Sequence, residues 1–347
     1  MRTTKCVIRF FKGIMKNLKL FTILVVLLSA SIIASLLFGG SKIPLQDMFS
    51  ALFHPGVAGF NQTIIWGIRI PRIILGLLIG AGLAVSGCVF QGMLRNPLAD
   101  PYTLGVSGGA SLGASIGIIL GVERLLGYYG LPLCAFIGAF LSILFIYLLA
   151  IKRNFSSTTL ILFGVVLSYL FTAVVTFLLS VTTANKAHST ILWLMGDLSS
   201  ADSGIILPVS IFVIVGIVLI FFFSKDIDLL TLGEEKAYHL GLNVDMTRRI
   251  LFLLASLITG ACVAGSGIIG FVGLMIPHFM RKITGPSHRI LLPASAIGGA
   301  IFLVLSDTLA KTINYPIELP VGVITGIFGG IFFLIFFLRQ KNRKEFF

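Results

Sequence analysis

Apolar stretches of membrane-spanning length recur along this chain, parted by short polar breaks. A bilayer core takes about 20 apolar residues per helix. On that rule the pattern predicts about ten spans, at 20–39, 72–93, 98–121, 132–151, 158–181, 204–223, 250–267, 268–281, 290–309 and 320–338. The run 250–281 is too long for one span and divides at Gly265 and Gly267. The expected fold is an all-α integral membrane domain at 20–338. A basic tail at 1–19 precedes it and a second tail at 339–347 follows. The start resembles a signal peptide, but its apolar run is long for one and further spans follow. It reads as an uncleaved first helix.

Composition sharpens the class. The chain is 57% hydrophobic and 11% charged, where soluble domains carry about 25% charged residues. The net charge of +13 raises the question of nucleic acid, and its distribution answers it. With the N-terminus in the cytosol, 20 of the 26 Lys and Arg fall on the cytosolic side. Lys42, Arg69, Arg72, Arg124, Lys186 and Lys311 fall outside. That asymmetry follows the positive-inside rule, so the charge sets topology, with both termini cytosolic and no nucleic-acid role. Cys6, Cys88, Cys134 and Cys262 have no spacing that suggests a disulfide framework or a metal site.

The halves resemble each other. GAGLAVSGCVFQGMLRNP at 80–97 aligns without gaps with GACVAGSGIIGFVGLMIP at 260–277, and LPLCAFIGA at 131–139 with LPASAIGGA at 292–300. These matches pair span two with seven and span four with nine. An odd offset of five spans turns one half upside down, giving an inverted internal repeat of the kind that builds transporters. Gly105, Gly109, Gly113, Gly117 and Gly121 form a stripe every fourth residue. It predicts close helix packing rather than substrate contact.

The chemistry that is missing also narrows the reading. No phosphate-cradling GxxxxGK[ST] and no HExxH occur, so no catalytic residue, metal site or cofactor of its own is expected. None of the 13 acids lies clearly at mid-span. Asp307 comes nearest, with Lys311 one turn away as partner. Ion-coupled pumps use intramembrane carboxylates as relays, so the driving force is expected from another subunit.

One cassette interrupts the hydrocarbon, RNPLADPYTLGVSGGAS at 95–111. Its prolines break helix at a depth where irregular backbone is tolerated only against protein or a cavity. With RIPR at 69–72, the whole of 80–111, LGEEKAYHLGLN at 232–243, GFVGLMIPHFMR at 270–281, HRILLPASAIGGA at 288–300 and ELPVGVITGIFGG at 318–330, it resembles the FecCD-type permeases. These are membrane subunits of bacterial ABC importers for ferric siderophores, haem and vitamin B12. The resemblance covers about residues 60–338.

The resemblance implies ten helices per subunit in a bacterial plasma membrane. It implies a second permease subunit (the same chain or another), an ABC ATPase dimer that binds the ATP on the cytosolic side, and an extracytoplasmic binding protein. It places binding-protein docking at Arg69, Arg72 and Lys311, in the R-x-P-R motif and after D-x-x-A. Lys311 departs from bidentate arginine recognition because an ammonium offers only a point charge. Ordinary interfacial anchoring would explain the same residues. The resemblance places a cytoplasmic gate at Asn96, Leu98, Ser157 and Thr158, where the stretch 156–159 also reads as a helix N-cap. It places ATPase coupling at Gly233, Glu234, Glu235, Ala237, Leu240 and Gly241, in a short amphipathic element.

Three readings follow: a permease driven by a partner ATPase, a self-sufficient secondary transporter, and a membrane enzyme. The first leads, and no catalytic constellation supports the third. A ferric siderophore is the expected cargo, with haem and cobalamin as alternatives.

Overall fold

A computed structural model describes residues 2–39, 44–53, 59–152 and 155–340. Lys42, His54, Arg153 and the C-terminal tail beyond 340 lie outside the described residues. The helices are α1 Arg2–Leu37, α2 Leu45–Phe53, α3 Phe60–Ile64, α4 Ile70–Leu94, α5 Val106–Leu120, α6 Glu123–Leu126, α7 Gly130–Ile151 and α8 Ser157–Val181. They continue with α9 Ala184–Leu194, α10 Ser203–Phe222, α11 Ser224–Thr231, α12 Glu234–His239, α13 Val244–Ser266, α14 Val272–Thr284, α15 His288–Thr312 and α16 Val321–Gln340.

Eight of the described segments are long and apolar enough to cross a membrane. They carry the expected spans one, two, four to seven, nine and ten. The remaining two expected spans are the short helices α5 and α14. The chain is therefore a multi-pass membrane protein. α4, α13 and α15 are mostly buried and form the centre, while α1, α8, α10 and α16 expose most of their apolar side chains and form the rim.

Several boundaries differ from the hydropathy reading. The basic segment 2–19 is helix continuous with the first span. The second span begins earlier: α3, a π-turn at Ile65–Arg69 and α4 run on as one helix. The third is shorter, because Pro101 interrupts it and Gly105 takes φ +80, leaving a 3-10 turn at Pro101–Leu104 before α5. The divide in 250–281 is at Gly267, with φ +69, while Gly265 stays helical. The outer helix α9 and the elbow α11 have no counterpart among the predicted spans.

The inverted repeat is visible in reciprocal contacts. α4 crosses α15 and α7 crosses α13. A Cβ at Gly80 would lie 3.0 Å from the Ala300 Cα, and one at the equivalent Gly260 would lie 3.2 Å from the Ala139 Cβ. These are the residues that the two sequence matches make equivalent. Beyond Gly87 the match no longer pairs like with like. α4 runs on to Leu94, whereas α13 ends at Ser266, so Pro97 lies in a loop and Pro277 within α14. In the glycine stripe, Gly109, Gly113 and Gly117 face α7, and a Cβ on Gly109 would stand 2.5 Å from the Gly138 carbonyl. Gly105 and Gly121 instead cap the helix with positive φ.

The two non-helical breaks meet beside α4. The Ile269 amide donates to the Tyr102 hydroxyl at 3.2 Å, and the Pro101 ring lies against Gly273. Irregular backbone inside the membrane is thereby covered by protein.

The α4–α15 crossing sets the first prediction. A Cβ at Gly80 would lie 2.3 Å from the Gly299 carbonyl oxygen, where both sides are backbone and cannot yield. Gly80→Val is expected to destabilise the detergent-solubilised protein by about 2 kcal/mol or more. Gly326→Ala, where a Cβ meets nothing within 4 Å, is the neutral control. Melting of the two variants against the parent checks this, and equal loss in both would refute it.

Candidate functional site

Charged side chains gather at the two ends of the bundle. At the end away from α12, the first turn of α4 brings Arg72 against Asp307 of α15. Arg72 Nε lies 3.0 and 3.1 Å from the two Asp307 oxygens. Its Nη1 lies 2.5 Å from Glu318 Oε2, and its Nη2 lies 3.9 Å from Asp197. Lys311, one turn along from Asp307, places Nζ 3.0 Å from Asp307 Oδ2 and donates to Ser35 of α1 at 3.2 Å. Arg72, Asp307 and Lys311 are 4%, 2% and 4% exposed. Charges removed from water this far persist only when matched, and Asp307 matches two cations at once. It thereby ties α1, α4 and α15 together.

Arg69 sits in the π-turn and is 5% exposed. It donates to the Leu36 carbonyl at the end of α1 and lies against Gly39. All three expected docking residues thus stand together at one end, and all three are buried. Glu318 and Asp197 are the half-exposed charges of the group. Nearby, an outer cavity of about 760 Å³ reaches the Gly265–Gly267 break and is lined in part by Arg124, Lys186 and Asp197.

At the opposite end stands the expected coupling segment. Gly233 and Gly241, with φ +109 and +89, bracket the one-and-a-half-turn helix α12. Ala237 is buried, while Tyr238 and Leu240 are 72% and 61% exposed. Glu234 accepts from Arg248 of α13 at 2.5 Å and lies 3.9 Å from Arg95, the last-turn cap of α4. The Arg248 hydrogen bond holds the Glu234 carboxyl below the ordinary glutamate range. Its contribution is present above that range and is lost as pH falls through the lowered value. Behind α12, α11 is fixed to α15 because Asp228 accepts from the His288 amide at 2.8 Å and faces its Nδ1 at 2.6 Å.

The expected gate residues occupy this same end. Asn96 Oδ1 accepts from the Leu98 amide at 2.9 Å, an Asx turn that leaves Leu98 exposed. Ser156 is the N-cap of α8, accepting from the Thr159 amide at 3.3 Å, so the capping reading holds there. Ser157 and Thr158 form the first turn that it caps, with Thr158 exposed. Arg95 and Phe155 adopt left-handed backbone at φ +49 and +50, unusual for side chains of this size. Both strained residues abut the expected gate.

Sequence reasoning missed Glu318, Asp197, Arg248 and the Asp228–His288 pair as structural partners, because they come from distant segments. Gln91, an isolated amide in an apolar helix, was a readable signal. It donates to the Leu274 carbonyl at 3.1 Å and accepts from Arg281 at 3.0 Å. Among the described residues no cluster of three His, Cys, Asp or Glu could hold a metal ion.

The chain matches the model of the FecCD transport family over residues 27–339. The cobalamin import system permease protein BtuC of Halobacterium salinarum is 40% identical over 278 residues, covering 79% of this chain and 73% of its own. The hemin transport system permease protein HmuU of Yersinia pestis is 39% identical, covering 72% and 75%. A solved ABC transporter chain, assigned to the metal-chelate type and captured facing inward, superposes with a TM-score of 0.81 at 31% identity. It covers 93% of this chain and 99% of that one.

The buried network gives a stability test. Asp307→Asn leaves Arg72 and Lys311 without their shared carboxylate and is expected to cost about 3–5 kcal/mol. The triple variant Arg72→Met, Asp307→Leu, Lys311→Met is expected to recover most of that loss. Unfolding in detergent checks both, and a silent Asp307→Asn would remove the network from the stability account.

Proposed function

This chain belongs to the FecCD transport family of ABC importer permeases, and on that premise we propose that it conducts a ferric siderophore complex into the cytoplasm, driven by a separate ATPase. The observation that carries the ATPase reading is α12. A helix bracketed by glycines presents Tyr238 and Leu240 to solvent while Glu234 pins it to α4 and α13. Such an element is rigidly mounted yet exposes apolar side chains, which suits a cleft on a partner. The excess of Lys and Arg puts this end in the cytosol, with both termini. A second permease subunit completes the pathway, and an extracytoplasmic binding protein delivers the cargo.

Docking of that protein falls at the opposite end, at Arg69, Arg72 and Lys311. Arg72 and Lys311 are already matched by Asp307, so an incoming acid reaches them only by displacing one. Glu318 is the acid best able to leave, being half-exposed. The gate assignment rests on Asn96 and Leu98 in the cassette and on Ser157 and Thr158 at the head of α8. Short helix shifts there change the width of an opening.

Support for a ferric chelate comes from the solved relative of metal-chelate type. Relatives named for cobalamin and hemin support the second reading, a tetrapyrrole cargo. Uptake of labelled ferric siderophores, haem and cobalamin in a strain lacking the chain decides between them. Ferric-chelate uptake restored by the chain is expected, and restoration of cobalamin or haem alone would overturn it.

Two variants test the machinery. Deleting 233–241 is expected to abolish ATP-driven uptake in vesicles while the chain still inserts, and retained uptake would end the coupling role. Arg69→Glu is expected to abolish uptake and binding-protein capture by the assembled importer. Unchanged capture would remove Arg69 from docking.

A further inference from the structure

A cavity of about 480 Å³ opens at the coupling end between the last turn of α4, the last turns of α14 and the end of α16. Its lining has one sign of charge. Arg95, Arg281 and Lys282 contribute cations, and among the described residues no Asp or Glu lines it. His278 and His288 also line it, and the Nε2 of His278 is buried without a hydrogen-bond partner among the described residues. His288 is 1% exposed. One wall is aromatic. Phe336 and Phe337 of α16 face the cavity, and Lys282 Nζ stands 4.1 Å over the Phe336 ring. The His278 ring meets the same phenyl edge-on at 4.5 Å.

Within the fold Arg95 faces Glu234 and His288 faces Asp228, which leaves Arg281 and Lys282. Arg281 has a partner in Gln91, which is neutral. Among the described residues Lys282 meets an aromatic face. Cations left unmatched at a membrane interface attract anions, and basic pockets between helices on the cytosolic side hold anionic lipid headgroups. A free inorganic anion would need the cations but not the phenyl wall. A phospholipid needs both, a cationic rim for its phosphodiester and an apolar wall for its chains. α16 supplies the continuation, because Leu334 and Leu338 beside the cavity are among its most exposed side chains.

We infer that this cavity binds the phosphodiester headgroup of an anionic phospholipid, held by Arg281 and Lys282, with its acyl chains along Phe336 and Phe337. The leaflet named, the cytosolic one, rests on the orientation proposed above. The binding itself does not, and it is measured on solubilised protein without transport. The cassette residues Asn96 and Leu98 line the same cavity, so a bound lipid touches the segment assigned to the gate.

Native mass spectrometry and melting of the full-length chain in neutral detergent provide the test, using phosphatidylglycerol, phosphatidylcholine and inorganic phosphate as probes. Phosphatidylglycerol is expected to bind and raise the melting temperature, with phosphatidylcholine and phosphate giving no shift. Removing one cation, as in Lys282→Gln, is expected to weaken phosphatidylglycerol about fivefold. Phe337→Ala is expected to weaken the lipid while leaving the cations in place. Phosphate binding as well as lipid would show a simple anion site and overturn the lipid assignment. Equal binding of phosphatidylcholine, or undiminished binding by Lys282→Gln in a folded protein, would overturn the site. Since the parent chain alone gives the first comparison, a variant that fails to fold leaves the proposal open to refutation. Loss of transport with intact lipid binding would fall on the proposed function instead.

Discussion

Where α4 crosses α15 the two backbones touch, and the rest of the bundle is arranged around that contact. No side chain separates Gly80 from Gly299. In a bilayer, lipid tails are as apolar as leucine, so helices associate through close packing and matched polar groups rather than by escape from water. The crossing supplies the first and Asp307 the second. One carboxylate held between Arg72 and Lys311 locks the same two helices a few turns further on. The reciprocal contact of Gly260 with Ala139 on α7 is wider, side chain to backbone instead of backbone to backbone. The halves therefore share a plan without sharing tightness.

That asymmetry explains how much of the fold the sequence reveals. Span number follows from hydrocarbon runs, because water and lipid sort them without reference to tertiary contacts. The repeat is readable because the small residues at 80 and 300 and those at 260 and 139 serve equivalent crossings. The short helices are not readable from hydropathy. Residues 98–105 are apolar enough to pass as span, and only the Asp100 cap, Pro101 and a left-handed Gly105 make them a turn. α9 escapes notice because it is neither long nor apolar, and its place is set by backbone contacts of the 193–198 segment with the α13–α14 break.

The site divides in the same way. Asp307 and Lys311 are partners four residues apart on one helix, so spacing alone reveals them. Arg72 as their third member comes from 235 residues away and needs the crossing to bring it there. The expected coupling segment is legible as a helix because glycines punctuate it and apolar Ala237 and Leu240 stand at helical spacing. Its anchorage is not, since Arg95 and Arg248 flank it only once α4 and α13 lie side by side.

Between the two charged ends the contacts form one continuous path. Glu234 on the coupling helix faces Arg95, which opens the cassette. The cassette ends in Tyr102, whose hydroxyl accepts from Ile269 in the second break. Next to Ile269, the Ser266 carbonyl accepts from the Asp197 amide at 2.8 Å, and Asp197 faces Arg72. Arg95, Ile269 and Asp197 lie in irregular backbone and Tyr102 in a 3-10 turn, while Glu234 and Ser266 end helices, and the neighbouring helices α4 and α15 pack backbone to backbone. Motion imposed at α12 therefore has a hard element to push against and a soft one to displace. Helical segments resist bending, whereas segments held by turns and single hydrogen bonds shift at lower cost. The proposed coupling through α12 needs that contrast, and the two helix breaks placed against α4 provide it.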